Sequence, residues 1–431
     1  MMRRSACLLS SLFLLAACGG GGGGSGGSSG GDTASTGSGS SAGVVETGVG
    51  DCSISQALGS ARRDGLRIAG VTWLQVTAQD AAAGTTRLAG GKPVPVRVDV
   101  LASGSPLAPA TRQLVVHDPV SGACRRIALT GPTRVPASTD VLSLDGAYVA
   151  TIPAELVQPG MTVAVVLDDA AGRNASEAAQ ARRVLTPVVS EAVHETVRVI
   201  PLRYRGSNGY ISSGADVGAA LMRTHPLASV KVSQEAAYTP PSLSGGLLGL
   251  GGSGEFSMST MEAVLDEVDD ECARLNGAQP DARNAPKCLG VFPDNVTFRP
   301  LLGSGKVVGM AYIGGTSMIT ESLPALDDAS VSGPYATRHW MTYRALTIAH
   351  EYGHLLNLRH ADCGNASDPD RNLYSDGRLG NGAGYDSGRG FYFSSRQAGA
   401  DGLPQFADLM SYCSKEWPSD RGYRLALDDV S

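Results

Sequence analysis

The chain lacks any run of basic residues. Its 35 lysines and arginines are scattered among 41 acidic residues, for a net charge of −6. Nucleic-acid binding draws on a concentrated positive face, so this mildly acidic balance argues against nucleic acid as a partner. Long apolar stretches are missing too. The longest, near Leu8 to Ala17, falls short of the ~20 residues that a settled transmembrane helix needs. Histidine is scarce, with seven in 431 residues, and four of these (His117, His194, His225 and His339) lack ligand spacing and read as structural or surface positions. Between about Asp51 and Pro187 no long helical period occurs.

What is present begins with Met1, Met2, Arg3 and Arg4, an apolar run through Leu15, and then Ala16, Ala17 and Cys18. A basic start, a short apolar core and small residues before a cut define a signal peptide over residues 1–17. Leu15-Ala16-Ala17-Cys18 resembles the lipobox of bacterial lipoproteins. That resemblance implies acylation of Cys18 and an exported chain, lipid-anchored to a bacterial membrane at the outer membrane or cell surface. Residues 18–50 are nearly all Gly, Ser, Ala and Thr, too apolar-poor to fold, and read as a flexible tether spanning roughly 30 Å.

Six cysteines follow, Cys52, Cys124, Cys272, Cys288, Cys363 and Cys413. An even set in an exported protein predicts disulfides. Six cysteines permit about 15 complete pairings, and the domain limits suggest Cys52 with Cys124, Cys272 with Cys288, and Cys363 with Cys413. Residues 51–187 alternate apolar and polar in short stretches, as in Val71, Trp73 and Val76, in Val94, Val96, Val98 and Val100, and in Val163, Val165 and Leu167. This predicts an all-β, immunoglobulin-like sandwich. Residues 188–431 change texture to α+β. Strands are expected at Thr196–Tyr204, Val230–Tyr238, Val296–Leu301 and Val307–Ile319. Helices are expected at Asp216–Arg223, at Ser259–Leu275, where Met261, Val264, Leu265, Val268 and Cys272 recur at helical spacing, and at Thr337–Leu358. The Gly- and Leu-rich stretch Ser242–Gly254 reads as a loop, either a flap over the cleft or plain surface.

The chemistry lies in the last of these helices, in His350-Glu351-Tyr352-Gly353-His354. Histidines four apart share a helical face one turn apart, so both imidazoles reach one zinc ion. Glu351, beside the metal without being a ligand, is placed to take a proton from a zinc-bound water. His360 would point about 240° away and lie roughly 9 Å along the axis if the helix continued from His354. The helix must therefore stop between them. Asn357 supplies the residue type that enters the left-handed conformation readily.

His350-Glu351-x-x-His354-x-x-Asn357-x-x-His360 resembles the metzincin zinc-protease consensus, with Asn357 standing where that family ordinarily has glycine. The resemblance implies a metzincin-like α+β catalytic domain over residues 188–431, with His350, His354 and His360 as zinc ligands. Asp408-Leu409-Met410-Ser411-Tyr412-Cys413 looks like the family's Met-turn, which implies that Met410 forms the floor beneath the metal and that Tyr412 stabilises the oxyanion. The stretch from His350 to Arg421 is similar to bacterial metalloproteases of the StcE type, which cleave glycoproteins, mucins included. Pairing of Cys363 with Cys413 would tie the segment after the third ligand to the Met-turn. In metzincins generally an edge strand ahead of the active-site helix binds substrate, and Val307–Ile319 is the candidate, with an interior strand as the other reading. Asp368, Asp370 and Asn372 alternate as in a calcium loop, but Leu373 stands where that loop needs glycine.

These readings lead to a monomeric, zinc-dependent endopeptidase acting on extracellular proteins or glycoproteins. The alternative is a surface-anchored adhesin or glycan-binding lipoprotein, against which Glu351 argues, since a binding module needs no base beside a metal.

Overall fold

A computed structural model describes residues 45–49, 52–56, 66–102, 108–109, 111–167, 180–244, 254–277, 285–299, 306–323, 341–364, 366, 369–370, 379, 382–394, 406–413 and 416–430. The signal peptide, Cys18, most of the tether, His339, and Asp368 and Asn372 of the calcium-like alternation lie outside the described residues. The end of the stretch read as tether is ordered. Val45–Val49 pairs antiparallel with Cys52–Gln56.

The β-rich half contains two antiparallel sheets sharing one core. A four-stranded sheet runs in the order Arg182–Leu185, Thr162–Leu167, Arg112–His117, Cys124–Ala128. A five-stranded sheet runs Phe391–Ser394, Ala383–Asp386, Arg67–Asp80, Val94–Leu101, Tyr148–Ile152. Alternate residues point to alternate faces of a strand, so Trp73, Val94, Val96, Val98 and Tyr148 of one sheet meet Leu114, Val116, Val163 and Val165 of the other. The Cys52–Cys124 disulfide joins the short N-terminal hairpin to this half.

Two strands of the five-stranded sheet come from far beyond residue 187, so the division between the halves is not clean. The hairpin of residues 383–394 adds to the long strand Arg67–Asp80 through Tyr385 opposite Val76 and Gly384 opposite Thr77. An isolated hairpin is marginally stable in water, and this strand extends past the end of its other partner, leaving an edge to complete. Val76 marks the crossing. Its φ of +64° is costly for a β-branched residue, about 1–3 kcal/mol, and its side chain packs in the core of the second half while Trp73 packs in the first. Trp417 Nε1 donates to the Val76 carbonyl at 2.8 Å, and Tyr423 donates to Gln75 Oε1 at 3.0 Å.

The second half is built on a five-stranded sheet ordered Ser229–Gln234, His194–Pro201, Lys287–Phe292, Ser317–Glu321, Gly309–Ala311. The first four strands are parallel and the last is antiparallel to its neighbour. Both faces are covered, which is why Lys287–Phe292 is buried throughout. On one face Ile200, Cys288 and Ile319 meet Val264, Leu265 and Val268 of the helix Met258–Asn276. On the other, Val197, Val199, Leu289 and Met318 meet the helices Gly214–Thr224 and Tyr343–Leu355. The Cys272–Cys288 disulfide fastens the first of these helices to the sheet.

Two expectations about this half need correction. Val307–Ile319 is not one strand but the antiparallel pair Gly309–Ala311 and Ser317–Glu321, reversed at Gly314, whose φ of +66° suits a residue without Cβ. Periodicity carried no sign of the reversal. The metal-motif helix begins at Tyr343 rather than near Thr337, because Thr342 is extended (ψ 150°) and its hydroxyl accepts from the Ala345 amide.

Candidate metal centre

The helix Tyr343–Leu355 is buried on all sides from Ala345 onward, so its side chains are fixed by what surrounds it. Tyr352 donates to Glu195 of the central sheet at 2.9 Å, and its ring stands edge-on to His225 at 4.9 Å. His225, itself buried, is anchored by Thr224, and the carbonyl of His225 accepts from Lys92 at 2.8 Å. These contacts hold the back of the helix while His350 and His354 face the other way.

The helix ends where the third ligand needs it to. Leu358 N donates to Gly353 O at 3.0 Å and Asn357 N to His354 O at 3.0 Å, with Asn357 at φ +60°. This pair of bonds around a left-handed residue closes the helix and reverses the chain. The Asn357 side chain is held by Asp429 at 2.6 Å. After the turn His360 returns, and its Nε2 lies 3.2 Å from His354 Nε2. One nitrogen from each of His350, His354 and His360 lies within 4.8 Å of the others. Nitrogens about 2.0–2.1 Å from a tetrahedral zinc stand roughly 3.3 Å apart, so the spacing suits one ion.

Orientation and protonation are set by carbonyls. His350 Nδ1 meets Leu409 O, and His354 Nδ1 meets Leu358 O, each at 2.8 Å. A carbonyl only accepts, so Nδ1 carries the proton and Nε2 keeps its lone pair for a metal. Burial pushes both imidazoles toward the neutral form, His350 well below its usual range and His354 down to about 4. His350 Nε2 is buried without a hydrogen-bond partner among the described residues. A nitrogen left so costs about 1–3 kcal/mol, and a coordinated cation would satisfy it. The three histidines therefore form a group that can bind a metal ion.

Met410 packs against the metal-motif helix at Gly353. Its main chain accepts from Ala361 and donates to Asp408, and its sulfur packs so closely on Gly353 that a Cβ there would fall 2.6 Å from it. The Cys363–Cys413 disulfide and the Tyr412 N to Cys363 O bond, 3.0 Å, tie this segment to the chain just after His360. Tyr412 Oη lies 2.9 Å from His360 Nε2. Glu351, 1 % exposed, has its carboxylate against the edge strand: a Cβ on Gly309 would lie 2.5 Å from Oε1.

A cavity of about 340 Å³, counting its open mouth, adjoins the cluster and is lined by His350, Glu351 and Tyr412 together with Val308, Leu346 and Glu416. Glu416 escaped the sequence reading. In Ser414-Lys415-Glu416-Trp417 an acidic residue reads as surface, whereas the side chain is buried. His194, His225 and His117 are not drawn into the cluster. His194 bonds Ser229 at 2.7 Å, and His117 ends a strand in the β-rich half.

No protein-family model matches the sequence, and no curated protein matches it. Among solved structures, an amylomaltase from Corynebacterium glutamicum is similar at 14% identity, over 26% of this chain and 15% of its own, with a TM-score of 0.13. That overlap assigns neither fold nor activity.

Proposed function

We propose that this chain is a zinc-dependent endopeptidase whose catalytic half is metzincin-like and acts on extracellular proteins or glycoproteins. The observation that carries the reading is the convergence of three buried imidazoles, their nitrogens within 4.8 Å of one another, with Glu351 and Tyr412 lining the cavity beside them. A zinc ion held by His350, His354 and His360 would supply an open coordination position, a polarised carbonyl and a water made acidic. Glu351 then serves as base and acid. Its carboxylate takes the proton of the attacking water and delivers it to the leaving amine. Tyr412 Oη, beside His360, donates to the oxygen on which negative charge develops. Gly309–Ala311, the last strand of its sheet among the described residues and packed against Glu351, offers its edge to an extended peptide.

Glu351→Gln tests this reading. The variant is expected to retain one zinc per chain by metal analysis and to lose casein and mucin cleavage at least about 10³-fold. Full activity in that variant, or cleavage undiminished by a chelator, overturns it. The chain works as a monomer tethered through a lipid on Cys18. Cys18→Ala is expected to move it from the membrane fraction to the soluble fraction of fractionated cells, and unchanged membrane association contradicts the anchor.

A further inference from the structure

The cavity beside the histidines has a floor that its walls do not explain. Val308, Leu346 and Leu409 supply an apolar wall beside the polar His350, Glu351 and Tyr412, and the carboxylate of Glu416 is buried within the same lining, where its Oε1 has no hydrogen-bond partner among the described residues. Glu416 sits on a short strand, Glu416–Trp417, paired with Ala407–Asp408 and fixed by the Leu409 N to Trp417 O bond of 2.9 Å. It therefore cannot swing out to water without unseating Trp417. Burial, only partly offset by a hydrogen bond from its own backbone amide, raises its carboxyl to about 8. Such a group is expensive to keep unless something arrives to pair with it.

We propose that this cavity is a specificity pocket for a cationic side chain of lysine or arginine length, with Glu416 as the residue that selects it. The inference rests on the peptidase reading, since it names the kind of residue taken beside the scissile bond. Glu351 lines the same cavity beside the histidines, and the apolar wall next to Glu416 matches a long aliphatic stem ending in a cation, which packs its methylenes on that wall and pairs its head with the Glu416 carboxylate. A leucine side chain would fill the walls and leave the carboxylate desolvated and unpaired. Sites built around a buried polar group reject ligands that cannot meet it far more strongly than apolar pockets discriminate by size.

Two measurements on the full chain test this. The first is cleavage of a peptide library read by mass spectrometry. Wild type is expected to favour lysine or arginine over leucine next to the cleaved bond by about 10²-fold or more, Glu416→Gln to reduce that preference to under about tenfold, and Glu416→Leu to prefer leucine. The second, independent of catalysis, is a calorimetric titration with butylguanidinium and with pentanol. Wild type is expected to bind the cation at least about tenfold more tightly, and Glu416→Leu to reverse the order. Cooperative thermal unfolding verifies that both variants are folded. No cleavage of any peptide sinks the peptidase reading while the titration still decides the pocket. Equal binding of cation and alcohol by wild type, or a library preference unchanged in Glu416→Leu, overturns the pocket assignment alone.

Discussion

At the scale of single residues, Asn357 and Glu416 show what a sequence discloses. Asn357 was legible because its place followed from geometry: two histidines one turn apart and a third six residues on require a left-handed break, and few residue types supply one. Glu416 was not legible, because its burial comes from a strand pairing between segments whose sequence has no periodicity to read. Its environment has a consequence for stability. Burial raises its carboxyl from 4.5 to about 8, so between those values the folded chain holds a proton that the unfolded chain has released. The native state then binds more protons, and stability falls as the pH rises. This contribution is complete below about 4.5 and is lost as the pH rises through about 8. Glu416→Gln has no such dependence. The variant's melting temperature is expected to gain on wild type steadily from about pH 5 to about pH 8, by the equivalent of about 3 kcal/mol. A gap that stays constant with pH contradicts the assignment.

At the scale of elements, amphipathic stripes located two of the helices to within two residues, while the strand expected at Val230–Tyr238 ends at Gln234. The helix expected at Ser259–Leu275 spans Met258–Asn276, and the one expected at Asp216–Arg223 spans Gly214–Thr224. Partners were another matter. Nothing in residues 383–394 announces that they belong to a sheet begun at Arg67, because alternation states that a stretch is a strand and not which edge it joins. The docking of that hairpin depends on a buried ion pair between Arg223 and Asp386, with side chains 8% and 2% exposed. Removing one member of a buried pair leaves the other charge uncompensated. Arg223→Ala is therefore expected to cost about 3–5 kcal/mol in denaturant unfolding, and a loss below about 1 kcal/mol would show the pair to be dispensable.

At the scale of the molecule, the two halves identified by composition share more than a linker. The sheet that contains Arg67–Asp80 draws strands from both, Val76 inserts its side chain into the second core, and Gln75 is bonded by Tyr423 of the helix Asp420–Val430. Composition changes mark where the texture of a chain shifts, and here strands from both sides of that shift share one sheet. Unfolding is expected as a single transition, with tryptophan fluorescence and far-ultraviolet circular dichroism giving coincident midpoints. Two resolved transitions would mean that the halves melt independently.

The bond from Trp417 to Val76 joins residues 341 positions apart in sequence. A ribosome adding roughly 5–20 residues each second delivers the later partner about 20–70 s after the earlier one. Through that interval the long strand has an unfilled edge, and His350 lacks the Leu409 carbonyl that orients it. His354 and His360 meet through a local turn, but His350 takes its orientation only once Leu409 arrives, so a polypeptide truncated before that residue carries the ligands without the bond that aims the first of them.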